Sequence, residues 1–241
     1  MSETQQQIAM VVMAHPDDAE FGCAGTVASW VRAGWRVHYV VCTDASGGGG
    51  DEATECGQEA RARISATRKA EQRAAADILG VSEVVFLDQP DGLLQPTIEL
   101  RKQLVRLLRR LRPTTVVCQS PERSWVPQLF LPRYHPDHLA AGQATLAAIY
   151  PASQNPWDFP DLLAEGLRPH RVREVLVMGA PHHNHAVDIG DTFGLKLAAL
   201  HAHASQVGMS ADLDDRMREL AAERGAAFGM GLAETFNRTE N

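Results

Sequence analysis

Short apolar runs alternate with longer amphipathic segments along most of this chain, and no other feature of the sequence constrains its fold as strongly. Strands are predicted at residues 8–13, 36–43, 84–87, 114–118 and 173–178. Helices are predicted at residues 21–33, 58–79, 97–111, 136–149, 191–203 and 213–227. Strands and helices that alternate at this spacing are typical of βαβ units. The sequence therefore predicts a Rossmann-like α/β fold, with a mostly parallel sheet flanked by helices.

Composition limits the number of domains and the kinds of partner. Hydrophobic residues make up 44% of the 241 positions, which is enough for one substantial core. Because no repeat or linker interrupts the pattern, we expect one domain over residues 8–241, after a flexible tail at residues 1–7. A net charge of -7 without a basic run argues against a nucleic-acid partner. No apolar segment reaches the roughly 18–20 residues that span a bilayer, and a cytoplasmic location without membrane contact is expected.

Polar candidate residues follow four of the predicted strands, at the point where each strand ends. These segments are residues 15–18, 44–50, 88–92 and 120–138. In open parallel sheets, ligand sites form beyond the carboxyl ends of the strands. We therefore expect these side chains to share one edge of the sheet.

The first motif is His15-Pro16-Asp17-Asp18, directly after the first strand. His15 and Asp18 are three residues apart in a turn that contains proline, so their side chains can converge on one point. Asp17 then faces elsewhere and is free to accept a proton. The alternative is an ordinary helix N-terminus with Asp17 or Asp18 as its cap.

The second motif is His135-Pro136-Asp137-His138, after the fourth strand. Pro136 suits the first position of a helix, and His138 lies about one turn beyond His135. Asp137 can accept a hydrogen bond from an imidazole N–H, as carboxylates behind metal ligands do. The alternative is a polar helix start with exposed histidines. Taken with the first motif, three N/O ligands and a spare acid predict a metal-dependent hydrolase, because catalytic zinc keeps an open fourth position.

Together, the two motifs resemble those of the LmbE-like (PIG-L) family of zinc-dependent N-deacetylases. The resemblance extends to Thr43-Asp44-Ala45-Ser46-Gly47, Arg68-Lys69-Ala70-Glu71, Pro90-Asp91-Gly92 and His203-Ala204-Ser205-Gln206. It implies zinc ligands at His15, Asp18 and His138, with water in the fourth position. It also implies that Asp17 is the general base. His135, held by Asp137, would stabilise the oxyanion or protonate the leaving amine.

The resemblance implies further roles and one departure. Arg68 is expected to face the substrate pocket, although a surface ion pair with Glu71 is an alternative. From its position at the end of the third strand, and not from the resemblance, Asp91 is expected to bind a sugar hydroxyl, or else to be a turn acid before Gly92. Some family members have a tyrosine two residues before the first histidine of the second motif, where this chain has Arg133. Tyr134, which is adjacent to His135, is therefore given no catalytic role.

Several other features have a structural explanation that we favour over a functional one. The glycine-rich segment at 46–50 lacks the residues of a phosphate loop and is expected to form a mobile rim of the pocket. Five histidines, at 182, 183, 185, 201 and 203, are expected at the rim or surface instead of at a second metal. Because His203 belongs to a stretch that matches the family, it is also expected to support the fold near the site. The four scattered cysteines predict no disulfide framework. Of two aromatic segments, at 125–131 and 157–159, one is expected to form a lid over the substrate and the other a subunit contact. The sequence does not indicate which segment has which role.

The resemblance and the motifs together predict a zinc-dependent hydrolase that removes an N-acetyl or N-acyl group from a GlcNAc-type amino-sugar conjugate. Fe²⁺ is an alternative cofactor, because a His₂Asp site with open positions suits it nearly as well as Zn²⁺. One alternative function is an amidase of the same fold that acts on another amide, such as a thiol conjugate. The other is a non-catalytic metal- or nucleotide-binding protein, which would have no need of Asp17. A homo-oligomer is expected.

Overall fold

Seven strands form one mixed sheet in the computed structural model, which describes residues 6–50, 52–208 and 210–241. The strands are β1 (Ile8–Met13), β2 (Arg36–Thr43), β3 (Glu83–Gln89), β4 (Thr115–Gln119), β5 (Glu174–Met178), β6 (His185–Asp188) and β7 (Ala233–Glu240). Each of the five predicted strands is present within two residues of its expected bounds. Residues 1–5 of the predicted tail lie outside the described residues.

The order of the strands is β3-β2-β1-β4-β5-β7-β6. Strands β1 to β5 pair in parallel, whereas β7 runs antiparallel to both β5 and β6. The predicted single α/β domain with a mostly parallel sheet is confirmed, and β6 and β7 are additions to it. Because the chain passes from β1 to β2 on one side and β4 lies on the other, the strand order reverses between β1 and β4. That reversal creates a crevice beyond their carboxyl ends, the usual place for a ligand site in such sheets.

Helices cover both faces of the sheet. They are α1 (Asp18–Gly22), α2 (Ala24–Arg32), α3 (Gln58–Leu79), α4 (Ile98–Leu111), α5 (Pro136–Ala147), α6 (Pro160–Ala164), α7 (Phe193–His201), α8 (Ala204–Val207) and α9 (Leu213–Ala226). A 3-10 turn at Leu131–Arg133 precedes α5, and a π-helical turn at Ala148–Ala152 follows it.

The helix predicted at residues 21–33 is in fact two helices, α1 and α2, which meet at Cys23. The backbone N–H groups of Gly25 and Thr26 at the start of α2 donate to the carboxylate of Glu234 on β7 (3.1 and 2.8 Å). A side chain about 200 residues away therefore caps the new helix start, which local sequence could not indicate.

Alternate residues of β1 face two different cores. Met10 and Val12 pack with Leu104 of α4 in one cluster, and Val11 packs with Val27 of α2 in the other. All five of these side chains are fully buried. Burial of each such side chain contributes about 1.5–3 kcal/mol. The two packed faces make the central strands a rigid support for the residues that follow them.

In the described part of the chain, no helix is both long enough and apolar enough to cross a membrane. The four cysteines are free thiols, three of them buried (Cys23, Cys42 and Cys118) and one exposed (Cys56).

Candidate active site

The turn after β1 is held in place through its backbone. The N–H of Ala14 donates to Oε1 of Gln119 at the end of β4 (2.9 Å), and its carbonyl accepts from the hydroxyl of Thr43 (2.8 Å). The chain then turns at Asp17, whose φ of 82° lies in the left-handed region that aspartate tolerates better than most residues. Asp17 occupies the N-cap position of α1 but makes no side-chain capping bond. Capping therefore does not account for its carboxylate.

Beyond this turn, the side chains of His15, Asp18 and His138 converge. Nδ1 of His15 lies 3.3 Å from Nε2 of His138, which in turn lies 3.0 Å from Oδ1 of Asp18. Oδ2 of Asp18 lies 3.6 Å from Nδ1 of His15 and accepts the backbone N–H of His15 (2.7 Å). The two motifs meet, although 123 residues separate their histidines, because β1 and β4 are neighbours in the sheet.

The second ring nitrogen of His15 faces two more carboxylates. Nε2 lies 3.1 Å from Oδ1 of Asp91 and 3.1 Å from Oδ2 of Asp137. Asp137 is fully buried and also accepts the backbone N–H groups of Gly92 (2.8 Å) and Leu94 (3.1 Å). Because an ionised carboxylate only accepts hydrogen bonds, the neutral His15 ring carries its proton on Nε2. The lone pair of Nδ1 is thereby available to a metal, an arrangement common behind metal-binding histidines.

The electrostatics of this cluster favour a bound positive charge. Burial disfavours the charged form of His15, but hydrogen bonds to Asp137, Asp18 and Asp91 outweigh it and raise the pKa of His15 to about 11. Burial likewise disfavours the charged form of Asp18. The charge of His138 and the hydrogen bonds from both histidines nevertheless hold the pKa of Asp18 well below its usual range. A proton or a metal ion can supply the positive charge that these carboxylates stabilise.

Among the described residues, two groups of side chains bring three ligand atoms within 4.8 Å of one another. One group is His15, His135 and His138, and the other is His15, Asp91 and Asp137. Both contain His15, so a candidate metal site surrounds this residue. The narrower assignment of His15, Asp18 and His138 as the three ligands stays a prediction.

Asp17 lies beside the cluster and pairs with Arg68 of α3. Its Oδ2 accepts from Nη2 of Arg68 (3.2 Å), which also donates to the carbonyl of Pro16 (3.0 Å). Its Oδ1 has no hydrogen-bond partner in the described part of the chain. Burial and the negative charge of Asp18 raise the pKa of Asp17 to about 7, although Arg68 opposes the shift. Asp17 thus has one oxygen held by the protein and one that can accept a proton.

The partner of His135 differs from the one that we expected from the sequence. Its Nδ1 accepts the backbone N–H of Asp137 (3.2 Å), whereas the Asp137 carboxylate bonds to His15. The expectation that this carboxylate holds His135 is therefore wrong, because the first turn of α5 directs it into the buried contact with His15. Burial and the charge of His15 lower the pKa of His135, despite the attraction of Asp137. Because a backbone N–H only donates, the neutral His135 ring carries its proton on Nε2.

The two residues predicted to bind substrate lie at the site, and protein groups contact both. Asp91 bonds to His15 and accepts the backbone N–H of Gly47 through Oδ2 (2.8 Å). Arg68 is buried, and a side chain at Gly48 would collide with its Nη1. The glycine-rich segment therefore passes close to both side chains, as glycine permits. Their roles in substrate binding stay predictions.

The alternative that Arg68 forms a surface ion pair with Glu71 is wrong. Arg68 is only 6% exposed and pairs with Asp17. Glu71 instead accepts the backbone N–H and the hydroxyl of Ser205 at the start of α8 (2.8 and 2.6 Å). The two side chains thus fix α3 to different neighbours.

A chain of buried polar side chains behind Asp17 was not predicted. Oε1 of Gln72 accepts the backbone N–H of Asp17 (3.0 Å), and its Nε2 donates to Glu20 (3.1 Å). Glu20 also lies 3.2 Å from Nε2 of His203, and all three side chains are fully buried. One signal was available, because Gln72 lies four residues after Arg68 and so shares its helix face. The expectation that His203 supports the fold near the site agrees with this contact.

A cavity of about 230 Å³ adjoins the cluster, with Asp18 and His138 in its wall. Tyr134 also lines it and is nearly buried, and its hydroxyl accepts the backbone N–H of Ser124 (2.9 Å). The apolar part of the wall includes Phe21, Leu139, Met178, Met217 and Leu220. The cavity therefore combines polar residues of the cluster with an apolar wall.

The histidines near the C-terminus form no second group of metal-ligand type among the residues that the structure describes. Nε2 of His201 pairs with Asp214 at the surface (2.7 Å), and Nδ1 of His183 bonds to the hydroxyl of Thr235 (3.1 Å).

Of the two aromatic segments, Trp125 and Phe130 are more than 60% exposed and Trp157 is 87% exposed. Phe159 packs against the core. The assignment of lid and subunit contact stays a prediction.

The fold and the site define a class of protein, an α/β domain with a candidate metal centre at the carboxyl edge of its parallel sheet. Comparison with known families narrows the class. Residues 10–149 match the PIG-L family, described as GlcNAc-PI de-N-acetylase. The chain belongs to this family, and the resemblance inferred from its two motifs is confirmed.

Several relatives and solved structures are similar to this chain. The diacetylchitobiose deacetylase of Thermococcus kodakarensis is 34% identical over 192 residues, which cover 80% of this chain and 67% of that protein. A 1D-myo-inositol 2-acetamido-2-deoxy-alpha-D-glucopyranoside deacetylase of a Mycobacterium species is 28% identical, over 88% of this chain and 78% of that protein. The structure of the N,N'-diacetylchitobiose deacetylase of Pyrococcus horikoshii matches with a TM-score of 0.86 and 27% identity, covering 98% of this chain and 84% of that one. The prediction of a deacetylase, a hydrolase of linear amides, is confirmed at the level of the family.

Proposed function

We propose that this protein is a metal-dependent N-deacetylase that hydrolyses the N-acetyl group of a GlcNAc-type sugar within a small-molecule conjugate. The observation that carries this proposal is the convergence of His15, Asp18 and His138 within 3.0–3.6 Å, beside the Asp17 carboxylate. The relatives named above act, by their names, on N-acetylated amino sugars, which supports the substrate class.

The donor set fits a divalent metal ion. Nδ1 of His15, Nε2 of His138 and a carboxylate oxygen of Asp18 would hold it, because hydrogen bonding leaves the Nδ1 lone pair of His15 free. When bound, such an ion supplies a Lewis acid that polarises the amide carbonyl and lowers the pKa of water. We propose Zn²⁺ as the native ion, with Fe²⁺ as the alternative for the same donors.

Asp17 is proposed as the general base. Arg68 holds its Oδ2, so Oδ1 keeps a defined direction and can take the proton of the attacking water. Gln72 fixes the backbone of Asp17 from behind. The proton that Asp17 accepts is then available to the amine, which leaves poorly unless it is protonated.

His135 is proposed to donate a hydrogen bond to the oxyanion of the tetrahedral intermediate. Its Nδ1 is occupied by the backbone N–H of Asp137, so Nε2–H is the donor that remains. A fixed donor of this kind is typical of oxyanion stabilisation. Asp137 is proposed to act through His15, whose ring it orients.

The test is hydrolysis of a panel of amides by metal-free protein reconstituted separately with Zn²⁺ and Fe²⁺. We expect equal amounts of acetate and free amine from N,N'-diacetylchitobiose or methyl N-acetylglucosaminide, and loss of both products after chelation. An N-acyl thiol conjugate in the same panel tests the alternative amidase. Release of product from that amide alone would assign the other substrate class, and hydrolysis of no amide by either reconstituted form would contradict the proposal.

The remaining expectations belong to the same proposal. We propose a small-molecule substrate and a cytoplasmic location. We also propose a homo-oligomer, which the exposed aromatic side chains of Trp125 and Trp157 support. Sedimentation of the purified protein at micromolar concentration tests the oligomer, and a monomer would contradict it.

A further inference from the structure

Two arginines line the cavity beside the cluster. Arg133, from the 3-10 turn before α5, and Arg224, from α9, share its wall with Asp18 and His138. A second cavity, of about 480 Å³, is also lined by Arg133 and Arg224. The two guanidinium groups therefore stand where the two cavities adjoin.

Arg133 is exposed and Arg224 is partly buried, and neither guanidinium has an ion pair or a hydrogen bond to any residue that the structure describes. Two buried arginines elsewhere in the fold differ from them in this respect. Arg68 pairs with Asp17, and Arg109 donates to four backbone carbonyls. Arg224 is only half-exposed, so part of its charge is removed from water without a compensating partner.

The charges around Arg224 add to the free-energy cost of removing its guanidinium from water. Burial and the nearby positive charge of Arg133 lower the pKa of Arg224, and Glu234 and Glu223 oppose the shift without forming an ion pair with it. Glu122 also lines the first cavity but lies beyond ion-pair distance of both arginines. Two unpaired cations of this kind favour an anion between them, since guanidinium groups bind carboxylate and phosphate through paired N–H donors.

The rest of the wall fits the body of such a ligand. Phe21, Met178 and Met217 line the same cavity and offer apolar contacts. Ligand sites combine apolar walls with a few polar groups that fix orientation. The wall of this cavity thus combines the polar residues of the cluster, apolar side chains and two cations.

We propose that Arg133 and Arg224 form an anion subsite, and that the substrate is an N-acyl amino sugar with a carboxylate or phosphate outside the reacting amide. This inference rests on the proposed deacetylase function and specifies its substrate class. The two arginines determine specificity and take no part in the hydrolysis itself.

The first experiment compares kcat/KM for four substrates of the metal-loaded enzyme. These are methyl N-acetylglucosaminide, carboxymethyl N-acetylglucosaminide, and the 1-phosphate and 6-phosphate of N-acetylglucosamine. We expect at least one anionic substrate to exceed the neutral glycoside by about tenfold or more. The ratio should fall by about 10- to 100-fold in Arg224→Gln and in Arg133→Gln, the range expected when a charge-assisted hydrogen bond is lost. The better of the carboxylate and phosphate substrates identifies the source of the anion.

The matched control is Arg216→Gln, on the same helix as Arg224. Arg216 is exposed, pairs with Asp212 at the surface and lines neither cavity. Its replacement should leave the ratio between anionic and neutral substrates unchanged. An equal fall of the ratio in this variant would contradict a local role of the two cavity arginines.

A binding measurement separates this inference from the proposed activity. Metal-free protein should bind N-acetylglucosamine 1-phosphate or 6-phosphate more tightly than methyl N-acetylglucosaminide in calorimetric titration, and Arg224→Gln should remove the difference. If neutral conjugates are hydrolysed but no anion is preferred in either assay, the subsite is refuted and the deacetylase proposal stands. If the phosphate binds through Arg224 but no amide is hydrolysed, the deacetylase proposal fails while the anion subsite stands.

Discussion

The contact between Asp137 and His15 leads to a prediction that decides between two roles for this carboxylate. Asp137→Asn preserves the shape of the side chain but replaces one acceptor oxygen with an NH₂ donor. Oδ2 accepts from both His15 and Gly92, and Oδ1 accepts from Leu94. In either amide orientation, a donor therefore meets at least one buried donor. The His15 ring also loses one of the two carboxylate charges, those of Asp137 and Asp91, that fix its proton on Nε2.

These contacts allow the loss of metal affinity and the loss of stability to be estimated. Loss of a carboxylate behind a metal-binding histidine typically lowers metal affinity about 10- to 100-fold, or about 1.4–2.7 kcal/mol. In the less costly amide orientation, the NH₂ group takes the place of Oδ1. The buried N–H of Leu94 then loses its acceptor. This loss should reduce the free energy of unfolding by about 1–3 kcal/mol.

Competition with a chromophoric chelator measures the Zn²⁺ affinity, and urea unfolding of the metal-free protein measures stability. The control is Asp88→Asn at the end of β3, whose side chain is 61% exposed and pairs with Lys69 at the surface. In the control, we expect the free energy of unfolding to fall by less than about 1 kcal/mol and the metal affinity to stay unchanged. If Asp137→Asn binds Zn²⁺ as tightly as the unmodified protein and loses only activity, Asp137 acts on His135 and our reasoning about His15 is refuted.

Three further predictions concern the base, the ligands and the support of the site. Asp17→Asn should retain its metal and lose about 10²–10⁴-fold in kcat, the usual span for a general base; metal loss measured by elemental analysis would instead make Asp17 a ligand. His138→Ala should lose most of its bound metal, because it removes one of three proposed ligands, and near-stoichiometric metal would move the site elsewhere. Lys196→Met leaves the buried Glu234 carboxylate without its 2.7 Å ion pair and should cost about 3–5 kcal/mol in urea unfolding. Lys102→Met, which breaks an ion pair open to solvent, should cost much less in the same assay, and equal costs would contradict the role of burial.

Much of the fold could be predicted from the sequence because its signals are local. A short, continuous apolar run such as Ile8–Met13 is typical of a strand covered on both faces, and the structure has that strand within the same bounds. The long helix Gln58–Leu79 was also predicted with its observed bounds, since Gly80 ends it in the left-handed conformation that glycine adopts readily.

Strands β6 and β7 were missed because their conformation depends on distant partners. Apart from its threonines, four of the eight residues of Ala233–Glu240 are polar or charged, and this composition does not predict a buried strand. The segment becomes a strand because β5 offers it an unpaired edge, about 60 residues earlier in the chain. Its buried Glu234 is tolerated only where Lys196 and the start of α2 supply donors.

For the site, the sequence by itself determined which residues gather at one edge. Parallel strands place their carboxyl ends together, and so His15, Asp17, Asp18, Asp91 and the second motif had to lie near one another. Only the tertiary structure decided which of them are partners. Asp137 contacts His15 across 122 residues of sequence, and Arg68 contacts Asp17 across 51. Such contacts depend on side-chain direction and on the packing of α3 and α5 against the sheet, and residue spacing within a motif carries no information about either.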